Sequence, residues 1–173
     1  MYMYYYDSPM GVMKICADEE SLLGVWFDEE RIAEASLDIE AIENLHDNKH
    51  ISDAVCWLDE YFAGNVPSFT PKLKLQGSEF RKTVSEIMLK IPYGELSTYG
   101  EIANEVAMRI GKDRMSAQAV GGAVGSNEFS IIVPCHRVVG KGGKLTGYAG
   151  GMDKKVYLLR HEGVDFEGHN LRI

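Results

Sequence analysis

The residues best equipped for covalent chemistry are adjacent. Cys135, His136 and Arg137 stand in the stretch Ile131-Ile132-Val133-Pro134-Cys135-His136-Arg137-Val138-Val139-Gly140. A thiol attacks only as thiolate, and a neighbouring imidazole or cation lowers its pKa. The β-branched run Ile131–Val133 reads as a short buried strand. Pro134 removes a backbone donor and biases Val133 toward extended geometry, so pairing should stop there. The pattern predicts a strand that delivers a thiol to the rim of a site. It equally describes a small cysteine packed beside a structural histidine, since most cysteines pack rather than react.

Helices flank this stretch. Ser78 is placed to cap one whose Phe80, Val84 and Ile87 share a face and which Pro92 ends. Thr98 and Glu101 have capping-box spacing, which starts a helix at Tyr99 and carries it to about Met108. Gly111-Lys112-Asp113-Arg114 forms a loop, and Ser116 caps a second helix to Gly125. Two short helices joined by a glycine-containing loop match a helix-turn-helix. In the second, Ala117, Val120 and Val124 predict the buried face. The opposite face carries Gln118, Gly121, Gly122 and Gly125. Glycines in a helix cost about 1 kcal/mol each against alanine, which implies close approach of another backbone. That backbone belongs either to a neighbouring helix or to the groove of duplex DNA. Downstream, a helix from about Asp153 ends before Gly163. Glu162 in its last turn opposes the helix dipole, so it needs either a partner or water.

The N-terminal half reads as an antiparallel meander: strands at Tyr2–Tyr6, Val12–Ala17 and Leu22–Phe27, with a further one at Arg31–Ala35. A weak helix is expected over Asp38–Leu45, and a firmer one capped by Ser52, with Val55, Leu58 and Phe62 on one face, stopping at Gly64. Trp26, Phe27, Trp57, Tyr61 and Phe62 are expected in the core. His46 and His50 have no third ligand and read as surface residues. Residues 64–77 hold two prolines and two glycines and form the linker, in which Leu73 and Leu75 suit a short edge strand. The division is therefore 1–76 and 77–173.

Composition narrows the class. Of 173 residues, 45% are apolar and 25% charged, the balance of a globular chain rather than a disordered one. Cys16, Cys56 and Cys135 are odd in number and widely spaced, against a disulfide framework or a zinc site, and they point to a reducing compartment. With no signal peptide and no apolar run of membrane length, the chain reads as soluble and cytoplasmic. The net charge of −8 is uneven. Residues 1–76 hold 5 Lys+Arg against 15 Asp+Glu, and residues 77–173 hold 13 against 11. Only the second part is electrostatically free to face phosphate.

Ser116-Ala117-Gln118-Ala119-Val120-Gly121-Gly122-Ala123, then Asn127, Pro134-Cys135-His136-Arg137-Val138, Gly147-Tyr148-Ala149-Gly150-Gly151 and Leu158-Leu159-Arg160-His161-Glu162-Gly163 together resemble the O6-alkylguanine-DNA alkyltransferase (methylated-DNA–protein-cysteine methyltransferase) family. The resemblance is close over 77–163 and looser before it. It implies an α+β fold: an N-terminal RNase-H-like antiparallel sheet with helices, then a mostly helical, winged-helix-like domain with a helix-turn-helix. It implies stoichiometric DNA repair, in which an alkyl group leaves O6-alkylguanine in duplex DNA, with O4-alkylthymine as a further substrate, for the protein's own cysteine. No cofactor and no metal are implied, the partner is double-stranded DNA, and the chain is expected to be a monomer that binds no membrane.

By the same resemblance Cys135 is the acceptor, His136 its base through a water, and Glu162 the partner that orients the imidazole. A saturated carbon calls for a soft nucleophile, which favours thiolate over hydroxyl. Tyr99 would hydrogen-bond the base and rotate the 3′ phosphate, and Asn127 would tie the recognition helix to the acceptor strand. Ala117, Gln118, Gly121, Gly122, Tyr99 and Arg137 would contact DNA through the minor groove with base flipping. Met115, Val138, Tyr148 and Ala149 would wall the pocket. Two departures stand out. Gln118 replaces the arginine of many members, which weakens affinity and flipping, and Ala149 replaces a serine. Two other classes share these features: alkyltransferase-like proteins that flag the lesion, which usually lack the cysteine, and a cysteine hydrolase using Cys135, His136 and Glu162. Adjacent residues on an extended chain point apart, which disfavours direct contact between Cys135 and His136.

Overall fold

A computed structural model describes residues 1–27 and 39–173. The expected strand at Arg31–Ala35 lies outside them, as does Asp38. The fold is α+β. The chain forms two units, Met1–Leu75 with Glu128–Ser130, and Gln76–Asn127 with Ile131–Ile173. The second range differs from a simple cut at 76/77: residues 128–130 belong to the first unit.

In the first unit, β1 (Tyr2–Ser8), β2 (Gly11–Ala17) and β3 (Leu22–Phe27) form an antiparallel meander. Pro9 and Met10 make the two-residue turn, with Ser8 paired to Gly11. Gly11 takes φ +110°, a conformation that favours glycine. The fourth strand corrects the expectation. In place of a helix over 38–45, β4 (Glu40–Ala41) pairs parallel with β1, and Leu45–Asp47 is a single 3-10 turn. The sheet order is β3-β2-β1-β4. Alternate residues Met13, Ile15 and Ala17 are fully buried, the period-2 pattern of a sheet covered on one face. Helix α1 (Lys49–Phe62) packs on that sheet with Ile51, Ala54, Leu58 and Tyr61 buried. Its N-cap is Asn48, not Ser52, because the Asn48 side chain accepts from the backbone N–H groups of His50 and Ile51. Leu73 makes a parallel bridge to Leu22 at the sheet edge.

In the second unit α2 (Glu79–Met88), α3 (Tyr99–Arg109) and α4 (Ala117–Gly125) pack together. Each begins at a side-chain cap: Ser78 on Arg81, Thr98 on Glu101 with the reciprocal Glu101 bond, and Ser116 on Ala119. Two short strands, β5 (Ser97–Thr98) and β6 (Val138–Val139), pair in parallel and tie the start of α3 to the residues after Cys135. Helix α5 (Met152–His161) follows.

The stretch Ile131–Arg137 departs from expectation. Ile131–Val133 is buried but is a turn, not a strand. Ile131 has φ +71°, a left-handed conformation for a β-branched residue, which costs on the order of 1–3 kcal/mol and persists only where its surroundings enforce it. Cys135–Arg137 is a 3-10 turn that runs directly into β6.

Candidate active site

Cys135 is 7% exposed and opens the 3-10 turn. Asn127, two residues beyond the end of α4, donates from Nδ2 both to Val133 O at 3.0 Å and to Cys135 Sγ at 3.2 Å. An N–H aimed at sulfur favours the thiolate, as does the nearby Lys155 charge. Burial is the larger influence and pushes the Cys135 thiol above its ordinary value. The resting Cys135 is therefore a protonated thiol.

The next side chain is an imidazole. His136 is fully buried. Its Nε2 lies 2.6 Å from Glu162 Oε1, and Nδ1 has no hydrogen-bond partner among the described residues. Burial pushes the imidazole below its usual value although Glu162 pulls it upward, so at neutral pH it is uncharged. A neutral ring that donates from Nε2 to a carboxylate presents Nδ1 as its acceptor. The 3-10 turn supplies a new reason why Cys135 and His136 do not face each other: successive residues on a helical turn point in different directions.

Glu162 caps α5 and faces inward rather than to solvent. Besides His136 it accepts Arg137 Nε on Oε2 at 2.9 Å, Arg137 Nη2 on Oε1 at 3.0 Å, and the Gly94 N–H at 3.1 Å. Burial opposes ionisation, but the His136 hydrogen bond and the Arg137 guanidinium outweigh it and hold the carboxyl well below the carboxylate range. The partner that a carboxylate at a helix C-terminus requires is thus a bidentate arginine.

Arg137 corrects an expectation. It is 7% exposed, and its Nη1 donates to Ile91 O at 2.6 Å while its guanidinium stacks over Tyr93 at 5.7 Å. With its donors committed inside, it does not reach a phosphate, so it leaves the set of DNA contacts and becomes the clamp on Glu162.

Lys155 is a residue that sequence reasoning missed. It is fully buried, and its Nζ donates to Val138 O at 2.7 Å and Thr146 O at 2.9 Å. Burial lowers its pKa to about 8, with Cys135 opposing the shift. The signal was present: Lys155 falls on the α5 face with Met152, Leu158 and Leu159 at helical spacing.

The remaining candidates sit on α3, α4 and the loops. Tyr99 is half-buried at the first turn of α3, and its hydroxyl accepts from Thr146 Oγ1 at 3.0 Å. On α4, Gln118 and Gly122 are exposed, Gly121 is half-buried, and Val120, Ala123 and Val124 form the buried face. Ala117, expected on that buried face, lies in the first turn of α4 and is exposed. A Cβ at Gly122 or Gly125 would meet no atom within 4 Å, and at Gly121 only the Tyr99 ring at 3.9 Å. Helix packing within the protein therefore does not account for the glycines. Met115 and Tyr148 are half-buried, Val138 is buried and Ala149 is exposed. Among the described residues no group of three or more His, Cys, Asp or Glu side chains is arranged to hold a metal.

Comparison with known proteins identifies the family. The family description "6-O-methylguanine DNA methyltransferase, ribonuclease-like domain" matches residues 1–75, and "6-O-methylguanine DNA methyltransferase, DNA binding domain" matches 79–164. The methylated-DNA–protein-cysteine methyltransferase of Methanosarcina acetivorans is 43% identical, over 94% of this chain and 99% of that protein. Its Haemophilus influenzae counterpart is 38% identical, over 96% and 88%. The crystal structure of Mycobacterium tuberculosis OGT in complex with DNA superposes with a TM-score of 0.80 at 36% identity, covering 94% of this chain and 92% of that one. The O6-methylguanine-DNA methyltransferase of Pyrococcus kodakaraensis superposes at 0.61 and 26% identity. The chain belongs to the 6-O-methylguanine DNA methyltransferase family.

Proposed function

We propose that this protein repairs DNA by moving the alkyl group of O6-alkylguanine onto Cys135, once per molecule. The observation that carries this reading is the coupling at Cys135: a thiol touched by the Asn127 amide, followed directly by a neutral imidazole held on an ionised carboxylate.

The step balances within the protein and the base. His136 Nδ1 accepts the thiol proton through a water, and Glu162 stabilises the imidazolium that forms. Sulfur attacks the alkyl carbon in line. The S–C bond forms, the C–O6 bond breaks, and the electron pair leaves on guanine. Tyr99 gives its hydroxyl proton to the base, which lowers the cost of that leaving group, and regains one from the His136 imidazolium through water. Thr146 Oγ1 donates to the Tyr99 hydroxyl, which fixes its direction and leaves its own proton for the substrate. No cofactor is needed, because alkyl group and proton simply exchange places. A thioether does not revert, so one protein removes one lesion. O4-alkylthymine offers the same alkyl–oxygen chemistry and falls within the same proposal.

The buried thiol requires the base to leave the stack. The open glycine face of α4 suits the minor groove, with Gln118 filling the gap. Gly122→Ala is expected to stabilise the free protein by about 0.8–1 kcal/mol through helix propensity. Gly122→Leu weakens duplex binding at least about tenfold, about 1.4 kcal/mol. Thermal melts and DNA titrations check the pair, and undiminished binding by Gly122→Leu contradicts the groove assignment. No helix among the described residues is long and apolar enough to cross a membrane. An acceptor that must remain a free thiol suits the reducing cytoplasm. The test of the reading is stoichiometry: with lesion duplex in excess, repaired sites plateau at one per protein. Repeated turnover contradicts the proposal.

A further inference from the structure

We propose that residues Val164–Arg172 form a strap that fixes Thr146, and that Thr146 is a positioning residue which aims the Tyr99 hydroxyl at the departing base. This rests on the reading of Cys135 as acceptor and Tyr99 as proton donor. All of these residues lie within the second unit.

After α5 the chain folds back on itself. Asp165 caps a turn, accepting the Glu167 and Gly168 N–H groups on Oδ1 at 3.1 and 3.0 Å. Asn170 ends that turn at φ +52°, a left-handed conformation that asparagine tolerates. Phe166 and Leu171 pack against the apolar cluster of Val139, Leu145, Leu159 and Val164, and the Arg160 guanidinium covers the Phe166 ring at 5.2 Å. The chain then runs beside the loop that follows β6. Arg172 N donates to Gly143 O at 3.1 Å, and Leu145 N donates to Arg172 O at 2.7 Å. Arg172 Nη1 adds a bond to Gly142 O at 2.9 Å. The closeness of the strap shows at Gly143, where a Cβ would collide with the carbonyl oxygens of His169 and Asn170.

Thr146 follows Leu145 directly and so stands between two fixed points. The peptide before it is tied to Arg172 O, and its own carbonyl accepts Lys155 Nζ at 2.9 Å. With the backbone held on both sides, the half-buried side chain presents Oγ1 to the Tyr99 hydroxyl at 3.0 Å. Threonine suits this task, because its β-branch restricts χ1. A general acid works only with its proton within hydrogen-bond reach of the acceptor, and a misplacement of about 1 Å costs on the order of a hundredfold in rate. Thr146 therefore bears on the leaving group and not on the nucleophile.

Single-turnover transfer at saturating O6-methylguanine duplex, capping of Cys135 by a small haloacetamide, and the NMR resonance of Tyr99 Cζ, assigned by its loss in Tyr99→Phe, test the strap. Halide leaves without a proton, so capping reports the thiol alone. Thr146→Val removes the hydroxyl at constant shape, and Thr146→Ser keeps it. Thr146→Val is expected to slow transfer about tenfold, to move the Tyr99 resonance and to leave capping within about twofold of the parent, while Thr146→Ser transfers like the parent. Gly143→Ala displaces the strap and should change transfer and resonance in the same direction. Gly142→Ala carries similar backbone strain, at φ +70°, but meets only the Arg172 guanidinium at 3.6 Å, and should keep the parent values. Leu171→Ala loosens the strap from its apolar cluster, is expected to act like Gly143→Ala, and decides the matter should Gly143→Ala not fold. The proposal is overturned if Thr146→Val transfers like the parent or slows transfer and capping alike. It is equally overturned if Gly142→Ala does as much damage as Gly143→Ala, or if Leu171→Ala leaves the Tyr99 resonance unmoved. Should the parent protein itself leave the lesion methylated, the acceptor reading fails, while the Tyr99 resonance across these variants still decides the strap.

Discussion

Glu162→Gln is expected to lower stability by about 3–5 kcal/mol and to slow alkyl transfer at least a hundredfold. The carboxylate is fully buried as a side chain and carries four contacts from His136, Arg137 and Gly94. Removing its charge leaves the Arg137 guanidinium buried without a counter-charge, and breaking a buried pair costs about 3–5 kcal/mol. The kinetic loss has a separate cause, because the imidazolium formed during proton transfer loses the partner that stabilises it. The pH dependence separates these effects. Glu162 has a folded pKa below its unfolded value of about 4.3, so its contribution is complete above that pH and fades as pH falls further. His136 also has a depressed folded pKa. Its unfolded form takes up a proton below about pH 6.5 while the buried form resists, which again lowers stability toward acid. The parent protein should weaken progressively from about pH 6.5 and more steeply below about pH 4.3. Glu162→Gln should lose the steeper limb. Urea melts between pH 3.5 and 7 measure this, and an unchanged acid limb would contradict the assignment of the buried carboxylate.

Cys135→Ala is expected to abolish transfer completely while lesion-duplex binding remains. No other thiol has this surrounding. Cys16 lies buried in β2 with burial raising its pKa, and Cys56 is exposed on α1. Neither has a histidine–carboxylate pair in contact. The alanine side chain removes only sulfur from a turn held by backbone and Asn127 contacts to Val133. A gel-shift titration and a demethylation assay on the same preparation check both halves. Residual methyl transfer by Cys135→Ala would place the acceptor elsewhere.

Local signals in the sequence carried much of the fold. Ser78, Thr98 and Ser116 cap their helices within three residues, so those starts are legible from spacing alone. The expected cap Ser52 gives way to Asn48, whose side chain accepts from the N–H groups of His50 and Ile51 four residues earlier than the apolar face suggested. Ile131–Val133 misled for a different reason. An apolar run reports burial, not pairing, and a strand needs a partner that no periodicity reveals. The site divides along the same line. Cys135 and His136 were visible as adjacent residue types, and Asn127 only through the family resemblance. The bidentate Arg137–Glu162 contact spans 25 residues and assigns Arg137 an interior role that its charge does not suggest. The burial of Lys155 is not announced by its charge, only by its register with Leu158 and Leu159 on α5. The glycines of α4 left two partners open in sequence. The empty space beside Gly122 and Gly125 excludes the internal one.

The most direct measurement is the mass of the peptide containing Cys135 after exposure to a duplex bearing O6-methylguanine. This peptide alone is expected to gain one methylene, in an amount equal to the lesions lost, with those of Cys16 and Cys56 unchanged. Lesion loss without a mass change at Cys135, or lesion binding with neither, would contradict it.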